Sequence, residues 1–229
     1  MRVRNKDYRS RLEKQPKKQL SLKKSSPPQG LFIVFEGIDG CGKSTQVELL
    51  AKRLRRRGKK VITLSEPTAG RWGQKIRALA RTKGSLSPAK ELELFIRDRK
   101  EDIKNNIKPA LQAGQIVILD RYFYSTLAYQ GARGLDMDEI RAKHDKFVIR
   151  PDIVFILDVP VSQALKRIAS RPVIYGLFED RDYLQKVRKN FLKLKDPECY
   201  LLDGRQPPEA ISRQVWQILI RRFPWLKVR

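Results

Sequence analysis

The sequence predicts an α/β fold, a three-layer α/β/α sandwich around a parallel sheet of five strands. Five short apolar segments alternate with helix-forming segments, which is the pattern of repeated strand–helix–strand units. Several of these segments are apolar at every position, as expected for strands that are buried on both faces of a parallel sheet. The predicted strands are residues 31–35, 60–64, 115–119, 153–157 and 200–202.

Helix signals lie between and after these strands. Ser87 followed by Pro88 places a capping residue before a proline at the first helical position, and Asp136-x-x-Glu139 has the spacing of a capping box. Pro109 is expected to kink or restart the long helix that begins at Pro88. Further helices are predicted at residues 45–57, 72–81, 124–130, 179–195 and 208–222, with another ending at about 169.

Composition predicts a basic tail followed by one folded domain. The chain has 229 residues with 41% hydrophobic content, enough to bury the core of one α/β domain. In residues 1–29, Lys and Arg recur without an apolar period, and Ser25-Ser26-Pro27-Pro28 closes the segment like a linker. We expect residues 1–29 to be disordered and residues 30–229 to fold. The tail has two interpretations at this point, a nucleic-acid-binding or partner-binding arm and a solvated basic segment.

The formal net charge of +25 also has two explanations. A basic protein can neutralise the phosphates of a nucleic acid, or it can be an enzyme that acts on anionic nucleotides. No apolar run approaches the ~20 residues that cross a bilayer, so we expect a cytoplasmic protein with no membrane partner. Two cysteines and a single histidine make a disulfide framework or a zinc site improbable.

A phosphate-binding loop follows the first predicted strand. Residues 37–44 match Gly-x-x-x-x-Gly-Lys-Ser, with a strand before the motif and a helix after it, as the motif requires. Lys43 can reach the β- and γ-phosphates of a nucleoside triphosphate, and the Ser44 hydroxyl can ligate Mg²⁺. The predicted ATP-binding residues are Gly37, Ile38, Asp39, Gly40, Cys41, Gly42, Lys43, Ser44 and Thr45.

Polar residues at other strand ends complete the predicted site. Glu66, Asp120 and Asp158 each follow a predicted strand, and the carboxyl ends of parallel strands meet at one edge of the sheet. Asp120, beside the phosphate loop, is placed to hold Mg²⁺ together with Ser44. Arg121 can present a bidentate fork to a phosphate group. These residues predict binding of a nucleotide with its metal ion at this edge.

The segment of residues 170–178 breaks the helical pattern, with Arg167 and Arg171 near its start. Such an arginine-bearing loop between two helices is typical of a short lid that closes over a substrate. The chain lacks the Asn-Lys-x-Asp motif that reads guanine, which disfavours a GTPase. Several arginines around the loop indicate two anionic ligands that face each other, as in phosphoryl transfer between nucleotides.

Five motifs in order resemble those of the thymidylate kinases, which are P-loop nucleoside monophosphate kinases. They read FEGIDGCGKSTQ, SEPTAG, ELFIRDR, ILDRYFYSTLAYQG and PDIVFILDVP. The resemblance extends from Leu31 to the C-terminus and leaves the tail outside. It implies the P-loop kinase fold, phosphorylation of dTMP to dTDP with ATP and Mg²⁺, and a homodimer.

The resemblance also implies roles for individual residues. Asp39 is expected near the deoxyribose and the acceptor phosphate, Arg121 on the monophosphate, and Tyr129 where a ribose 2′-hydroxyl would lie. Phe95 is expected to stack on thymine and Arg99 to bond its carbonyl edge. From the residues alone, Phe95 also fits an ordinary core position and Arg99 a solvated helix face. The expected substrate-binding residues are Asp39, Glu66, Pro67, Phe95, Arg99, Arg121, Tyr129 and Gln130.

One departure from the family affects the catalytic residues. Some thymidylate kinases carry an arginine in the phosphate loop where this chain has Gly40, so the lid is expected to supply the transition-state arginine. The predicted catalytic residues are Lys43, Asp39, Arg121, Arg167 and Arg171.

Two other functions stay open at this point. A deoxynucleoside kinase would use Glu66 as the base that deprotonates a 5′-hydroxyl. A basic nucleic-acid-binding or regulatory protein on a degenerate kinase scaffold would explain the tail and the charge.

Overall fold

The computed structural model describes residues 30–80, 87–170 and 180–228. Its five strands are all parallel and lie in the order β2-β3-β1-β4-β5, which confirms the predicted α/β fold. The strands are β1 (Leu31–Glu36), β2 (Val61–Ser65), β3 (Ile116–Asp120), β4 (Ile153–Asp158) and β5 (Cys199–Asp203). The helices are α1 (Lys43–Arg55), α2 (Arg71–Ala80), α3 (Pro88–Asp102), α4 (Lys108–Gln112), α5 (Phe123–Ala132), α6 (Met137–Asp145), α7 (Val161–Ala169), α8 (Arg181–Lys193) and α9 (Pro208–Arg222).

The strand order places helices on both sides of the sheet. The chain moves outward from β1 to β2 and then returns across β3 to β4 and β5, so right-handed crossovers put α1 opposite the later crossover helices. Contacts agree with this division, because α1 packs with α9 whereas α5 packs with α3, α6 and α8. The carboxyl ends of the strands therefore open between two helical layers.

Strand burial follows strand position. β1 lies between β3 and β4, and all six of its residues are buried. The edge strand β2 has only partly buried or exposed residues, which matches its mixed sequence. The continuous apolar pattern thus located the centre of the sheet, because only a central strand with helices on both faces loses all its contact with water.

Most helix boundaries agree with the sequence signals. The Ser87 hydroxyl accepts a hydrogen bond from Lys90 N, and Asp136 accepts from the backbone N–H groups of Asp138 and Glu139. At Pro109 the chain stays helical, and a π-helical turn at Ile103–Ile107 joins α3 to α4. The wider turn accommodates Pro109, which has no backbone N–H to donate within the helix.

The tail of residues 1–29 and residues 171–178 of the predicted lid lie outside the described residues. Among the described helices, none has both the length and the apolar character that crossing a bilayer requires.

Candidate active site

The phosphate loop joins β1 to α1 in a conformation that depends on glycine. Gly40 has φ +77°, and a Cβ built there would lie 2.4 Å from the carbonyl oxygen of Ala164 in α7. The side chain of an arginine at position 40 would therefore collide with α7 in this structure. The departure from the arginine-bearing family members is thus consistent with the packing around the loop.

Lys43 and Ser44 lie at the start of α1, on the inner side of the loop. The Lys43 Nζ donates hydrogen bonds to the carbonyl oxygens of Gly37 and Ile38, both at 3.1 Å. The Ser44 hydroxyl donates to Asp120 Oδ2 at 2.7 Å, so the end of β3 meets the loop as predicted. Hard oxygen donors of this kind suit Mg²⁺, which commonly takes one or two protein ligands together with substrate phosphates. No cluster of three or more His, Cys, Asp or Glu side chains suited to a metal occurs in the described residues.

Asp39, Arg121 and Tyr129 form a cluster beside the loop, which we call the acceptor cluster. Arg121 donates to Asp39 Oδ1 at 2.7 Å and to the Tyr129 hydroxyl at 3.1 Å. That hydroxyl donates to Asp39 Oδ2 at 2.8 Å. The side chain of Asp39 is 38% exposed and that of Arg121 is 15% exposed, so a ligand can reach the cluster.

Charge and backbone geometry are both unusual in the acceptor cluster. Burial opposes ionisation of Asp39, but the charges of Arg121 and Lys43 prevail and hold its pKa well below the usual range. Arg121 has φ +70°, the one left-handed non-glycine residue among those described. A non-glycine residue in this region costs of order 1 kcal/mol, and such residues concentrate at functional sites.

Glu36 is a supporting residue that the sequence reasoning missed. It ends β1, is fully buried, and accepts hydrogen bonds from Tyr122 N at 2.7 Å and from Ser125 N at 3.1 Å. These N–H groups begin α5, so the carboxylate acts as a helix cap. Ser125 in turn accepts from Arg121 at 2.9 Å, which links the cap to the acceptor cluster. A carboxylate inside an otherwise apolar central strand was the available signal.

Arg99 and Glu66 form a second cluster with Thr126 and His144, which we call the buried cluster. The Arg99 Nε donates to Glu66 Oε2 at 2.9 Å, and its Nη1 lies 3.1 Å from Thr126 Oγ1 and 2.7 Å from His144 Nε2. Arg99 is 1% exposed, so the interpretation as a solvated helix face is wrong. Fixed contacts on several sides instead orient its guanidinium.

The tautomer of His144 follows from its neighbours. A guanidinium cannot accept a hydrogen bond, so Nε2 accepts from Arg99 and the proton lies on Nδ1, which donates to Ile140 O at 2.7 Å. Burial and the Arg99 charge lower the pKa of His144 to about 3. Burial also raises the pKa of Glu66, and Arg99 opposes that shift. His144 was identifiable in the sequence only as the single histidine, because nothing in its spacing connects it to Arg99.

Two other residues that were expected to contact the nucleobase, Phe95 and Gln130, lie on α3 and α5. Phe95 is half-buried, so it is not an ordinary core residue. Gln130 is buried and donates to Glu91 Oε2 at 2.7 Å, whereas its Oε1 has no hydrogen-bond partner. Asp98 accepts from Thr68 N at 2.8 Å and from Thr68 Oγ1, and so holds the loop after β2.

The predicted lid arginines are only partly covered by the structure. Arg167 donates to Gly204 O at 3.1 Å and more weakly to the carbonyl oxygens of Gly40 and Cys41. Arg171 lies outside the described residues. Arg188 was not predicted, and it makes a bidentate ion pair with Asp158 at 2.6 and 2.9 Å. The strand-end Asp158 is therefore engaged by an arginine of α8.

A glycine loop at a helix start, a strand-end aspartate beside it and an adjacent arginine cluster define a P-loop nucleotide-binding protein of the phosphotransferase class. A sequence model described as Thymidylate kinase matches residues 35–215. A probable thymidylate kinase of Archaeoglobus fulgidus is 41% identical over 82% of this chain and 94% of its own length. A thymidylate kinase of Akkermansia muciniphila is 44% identical over 86% of this chain and 94% of its own, and one of Xanthomonas campestris pv. campestris is 42% identical over 84% of each. The chain belongs to the thymidylate kinase family.

Proposed function

We propose that this protein transfers the γ-phosphoryl group of ATP to dTMP and so forms dTDP. The single observation that carries the proposal is the position of the acceptor cluster. Asp39 belongs to the phosphate loop, and Arg121 donates to Gly37 O of that loop at 3.2 Å. A monophosphate held by Arg121 would thus lie next to the donor phosphates, the arrangement that phosphoryl transfer requires.

On the donor side, we assign ATP binding to the loop residues Gly37 to Thr45. Lys43 would exchange its contacts with loop carbonyls for contacts with phosphate oxygens. Ser44 and Asp120 would hold Mg²⁺, which supplies positive charge at the transferring phosphoryl group when bound. The hydrogen bond between these two side chains supports the assignment, because it brings two hard oxygens together at the helix start.

On the acceptor side, Arg121 would bind the monophosphate in place of part of its contact with Asp39. Asp39 remains ionised at neutral pH and would orient the deoxyribose. Tyr129 is 7% exposed and fixed by three hydrogen bonds in the cluster, so its ring offers a rigid wall to the sugar. We assign discrimination against a 2′-hydroxyl to this wall.

For the base, we assign stacking to Phe95 and recognition to Arg99 and Gln130. The unpartnered Gln130 Oε1 supports a polar contact on this side, because buried amide oxygens rarely stay without a donor. We propose that Glu66 and Pro67 act mainly by shaping the pocket. Glu66 binds Arg99 and is 5% exposed, a poor location for a base that must reach a 5′-hydroxyl. A phosphate acceptor is therefore favoured over a nucleoside.

Charge at the transition state would come from Lys43 and from the lid arginines Arg167 and Arg171. Arg167 donates to the carbonyl oxygens of Gly40 in the loop and of Gly204 after β5, so it would have to turn toward the phosphates. Each such donor is worth about 10²–10³ in turnover when it acts only in the transition state.

The test is to incubate the protein with ATP, Mg²⁺ and a panel of nucleosides and nucleoside monophosphates, following ADP release. We expect dTMP to give the fastest release and thymidine to give none. Release with thymidine but not dTMP would establish the deoxynucleoside kinase instead. No release with any acceptor would overturn the enzymatic proposal. Lys43→Ala should abolish turnover, and Lys52→Ala, an exposed lysine of the same helix, is the matched control.

We also propose that the protein is cytoplasmic and that it is a homodimer, the latter as the family resemblance implies. Sedimentation equilibrium of the full chain tests the dimer, and a monomer at micromolar concentration would contradict it.

A further inference from the structure

The outer surface of α1 and α9 carries a concentration of positive charge that the proposed reaction does not use. Residues 49–60 contain seven Lys or Arg, residues 210–228 contain four, and neither segment contains Asp or Glu. The two helices pack side by side, so both segments share one surface. We call this surface the basic face, formed by Lys52, Arg53, Arg56, Arg57, Lys59, Arg213, Trp216 and Trp225.

The basic face lies away from the phosphate loop. Gln46, near the start of α1, donates to Pro208 O at the start of α9, and Arg53, about two turns further along α1, donates to Ser212 O, about one turn further along α9. The helices therefore run in the same direction. Lys52 and Arg53 lie in the last turn of α1 and the later basic residues follow it, so this side of the basic face is distant from the phosphate loop at the start of α1. Glu48 and Glu209, the nearest acidic residues of these helices, lie one turn before Lys52 and Arg213, and neither is in an ion pair among the described residues.

The charges of the basic face are not balanced by acidic side chains. None of the ion pairs within residues 30–80, 87–170 and 180–228 includes one of its residues. Burial and repulsion from Arg57 and Arg213 lower the pKa of Arg53, which indicates that these cations lie close together. A helix C-terminus favours a few cations in its last turn, but Arg57, Lys59 and Arg213 lie outside the last turns. The like charges thus oppose one another in the free protein.

Two tryptophans are interleaved with these cations. The Arg53 and Arg57 guanidinium groups lie over the Trp216 ring at 5.4 and 4.7 Å from its centroid. The Lys59 ammonium lies 5.6 Å from the centroid of Trp225, which is 48% exposed and one of two large apolar side chains exposed within the described residues. Cations over aromatic rings, together with an exposed ring, are what a strand of phosphates and unpaired bases would contact.

We propose that the basic face binds single-stranded nucleic acid. The phosphodiester backbone would neutralise the clustered Arg and Lys side chains, and a base would stack on Trp225. A single strand is favoured over a duplex because the bases of a duplex have their faces covered. This site is separate from the basic tail, to which the sequence alone had confined any nucleic-acid binding.

The test measures binding of a fluorescein-labelled dT20 oligonucleotide to the full chain by anisotropy between 50 and 300 mM salt. The variant Lys52→Gln/Arg56→Gln/Arg213→Gln removes three exposed charges of the basic face. The control Lys100→Gln/Lys104→Gln/Lys108→Gln removes three exposed charges along α3 and α4. Both variants keep the tail, the proposed catalytic residues and the same total charge.

We expect the basic-face variant to bind dT20 about tenfold more weakly, and the slope of log affinity against log salt to fall by about 2. The control should stay within about twofold, and both variants should retain the wild-type rate of ADP release with dTMP if the proposed function holds. Equal weakening in the two variants, or none in either, would overturn the proposal whatever the kinase assay gives.

Trp225→Ala tests the base contact separately. It should weaken dT20 binding about fivefold and leave inorganic polyphosphate binding unchanged, because polyphosphate has no bases to stack. Equal effects on both ligands would remove the stacking role. Binding to phosphatidylserine vesicles without binding to dT20 would identify an anionic membrane surface instead and overturn the proposal.

Discussion

The acceptor cluster and the buried cluster each contain an arginine paired with a carboxylate near the carboxyl edge of the sheet, yet the two pairs differ in solvent contact. The side chains of Asp39 and Arg121 are 38% and 15% exposed, whereas the side chains of Glu66 and Arg99 are 3% and 2% exposed. The direction of the carboxyl pKa shift differs accordingly, lowered for Asp39 and raised for Glu66. In the exposed pair, the attraction of two nearby cations prevails. In the buried pair, loss of water prevails.

Because they differ in solvent exposure, the two pairs should have different roles. An exposed pair can exchange one partner for a ligand phosphate at little cost, because water screens the intermediate state. A buried pair cannot open without leaving an uncompensated charge. We therefore expect changes in the acceptor cluster to act mainly on turnover. Changes in the buried cluster should act mainly on stability and, at Arg99, also on the base recognition proposed above.

The substitution Arg99→Met should have the largest effect, which is a loss of stability. The substitution keeps apolar volume but leaves Glu66 buried without its partner, so the free energy of unfolding should fall by about 3–5 kcal/mol. Urea denaturation followed by circular dichroism measures this change. The double variant Arg99→Met/Glu66→Gln should recover part of the loss. Identical stability of single and double variants would mean that Glu66 does not depend on Arg99.

Among changes in these two clusters, Arg121→Gln should have the largest effect on turnover. The variant keeps a hydrogen-bond donor but lacks the cation, so kcat/KM for dTMP should fall by about 10²–10³-fold. The free energy of unfolding should change by less than about 1 kcal/mol, because the pair is partly exposed. Steady-state kinetics and urea denaturation on the same preparation measure the two quantities. A large loss of stability with little loss of turnover would reverse the roles assigned to the clusters.

The pH dependence of stability tests His144. Its pKa is about 3 in the folded protein and about 6.5 in the unfolded chain, so the unfolded chain binds the extra proton between these values. Stability from this residue is therefore complete above pH 6.5 and is lost as the pH falls. Between pH 7 and pH 5 the loss should be about 2 kcal/mol.

His144→Gln is the matched variant, because the amide oxygen can accept from Arg99 but does not titrate. The pH-dependent loss should be smaller in this variant by the same amount, as measured by denaturation at both pH values. All other titratable groups are the same in both proteins, so their contributions cancel in the comparison. Parallel pH profiles would mean that His144 is not held neutral.

Tyr129→Phe should have the smallest effect. It removes the hydroxyl that bonds Asp39 and Arg121 but keeps the ring, so KM for dTMP should rise about fivefold, which corresponds to about 1 kcal/mol. The preference for a deoxyribose acceptor should persist, because the ring forms the proposed wall. Assays with dTMP and its ribose counterpart measure both effects. A lost preference with unchanged KM would assign the discrimination to the hydroxyl instead.

The sequence by itself determined the sheet, the phosphate loop and the residues that gather at its edge. Local rules suffice for these features: a central strand must be apolar throughout, the loop needs glycines at set spacings, and parallel strands end at one edge. The meeting of Ser44 with Asp120 follows from them. The tertiary structure alone decided which polar groups are exposed and which are buried. In the sequence Arg99 resembles a surface arginine. Only the packing of α3 against α5 removes it from water and brings it to Glu66 and to His144 of α6. The burial of a polar side chain and its hydrogen-bond partners depend on groups that are distant in sequence. Burial and partners together determine whether the pKa of a carboxylate is raised or lowered.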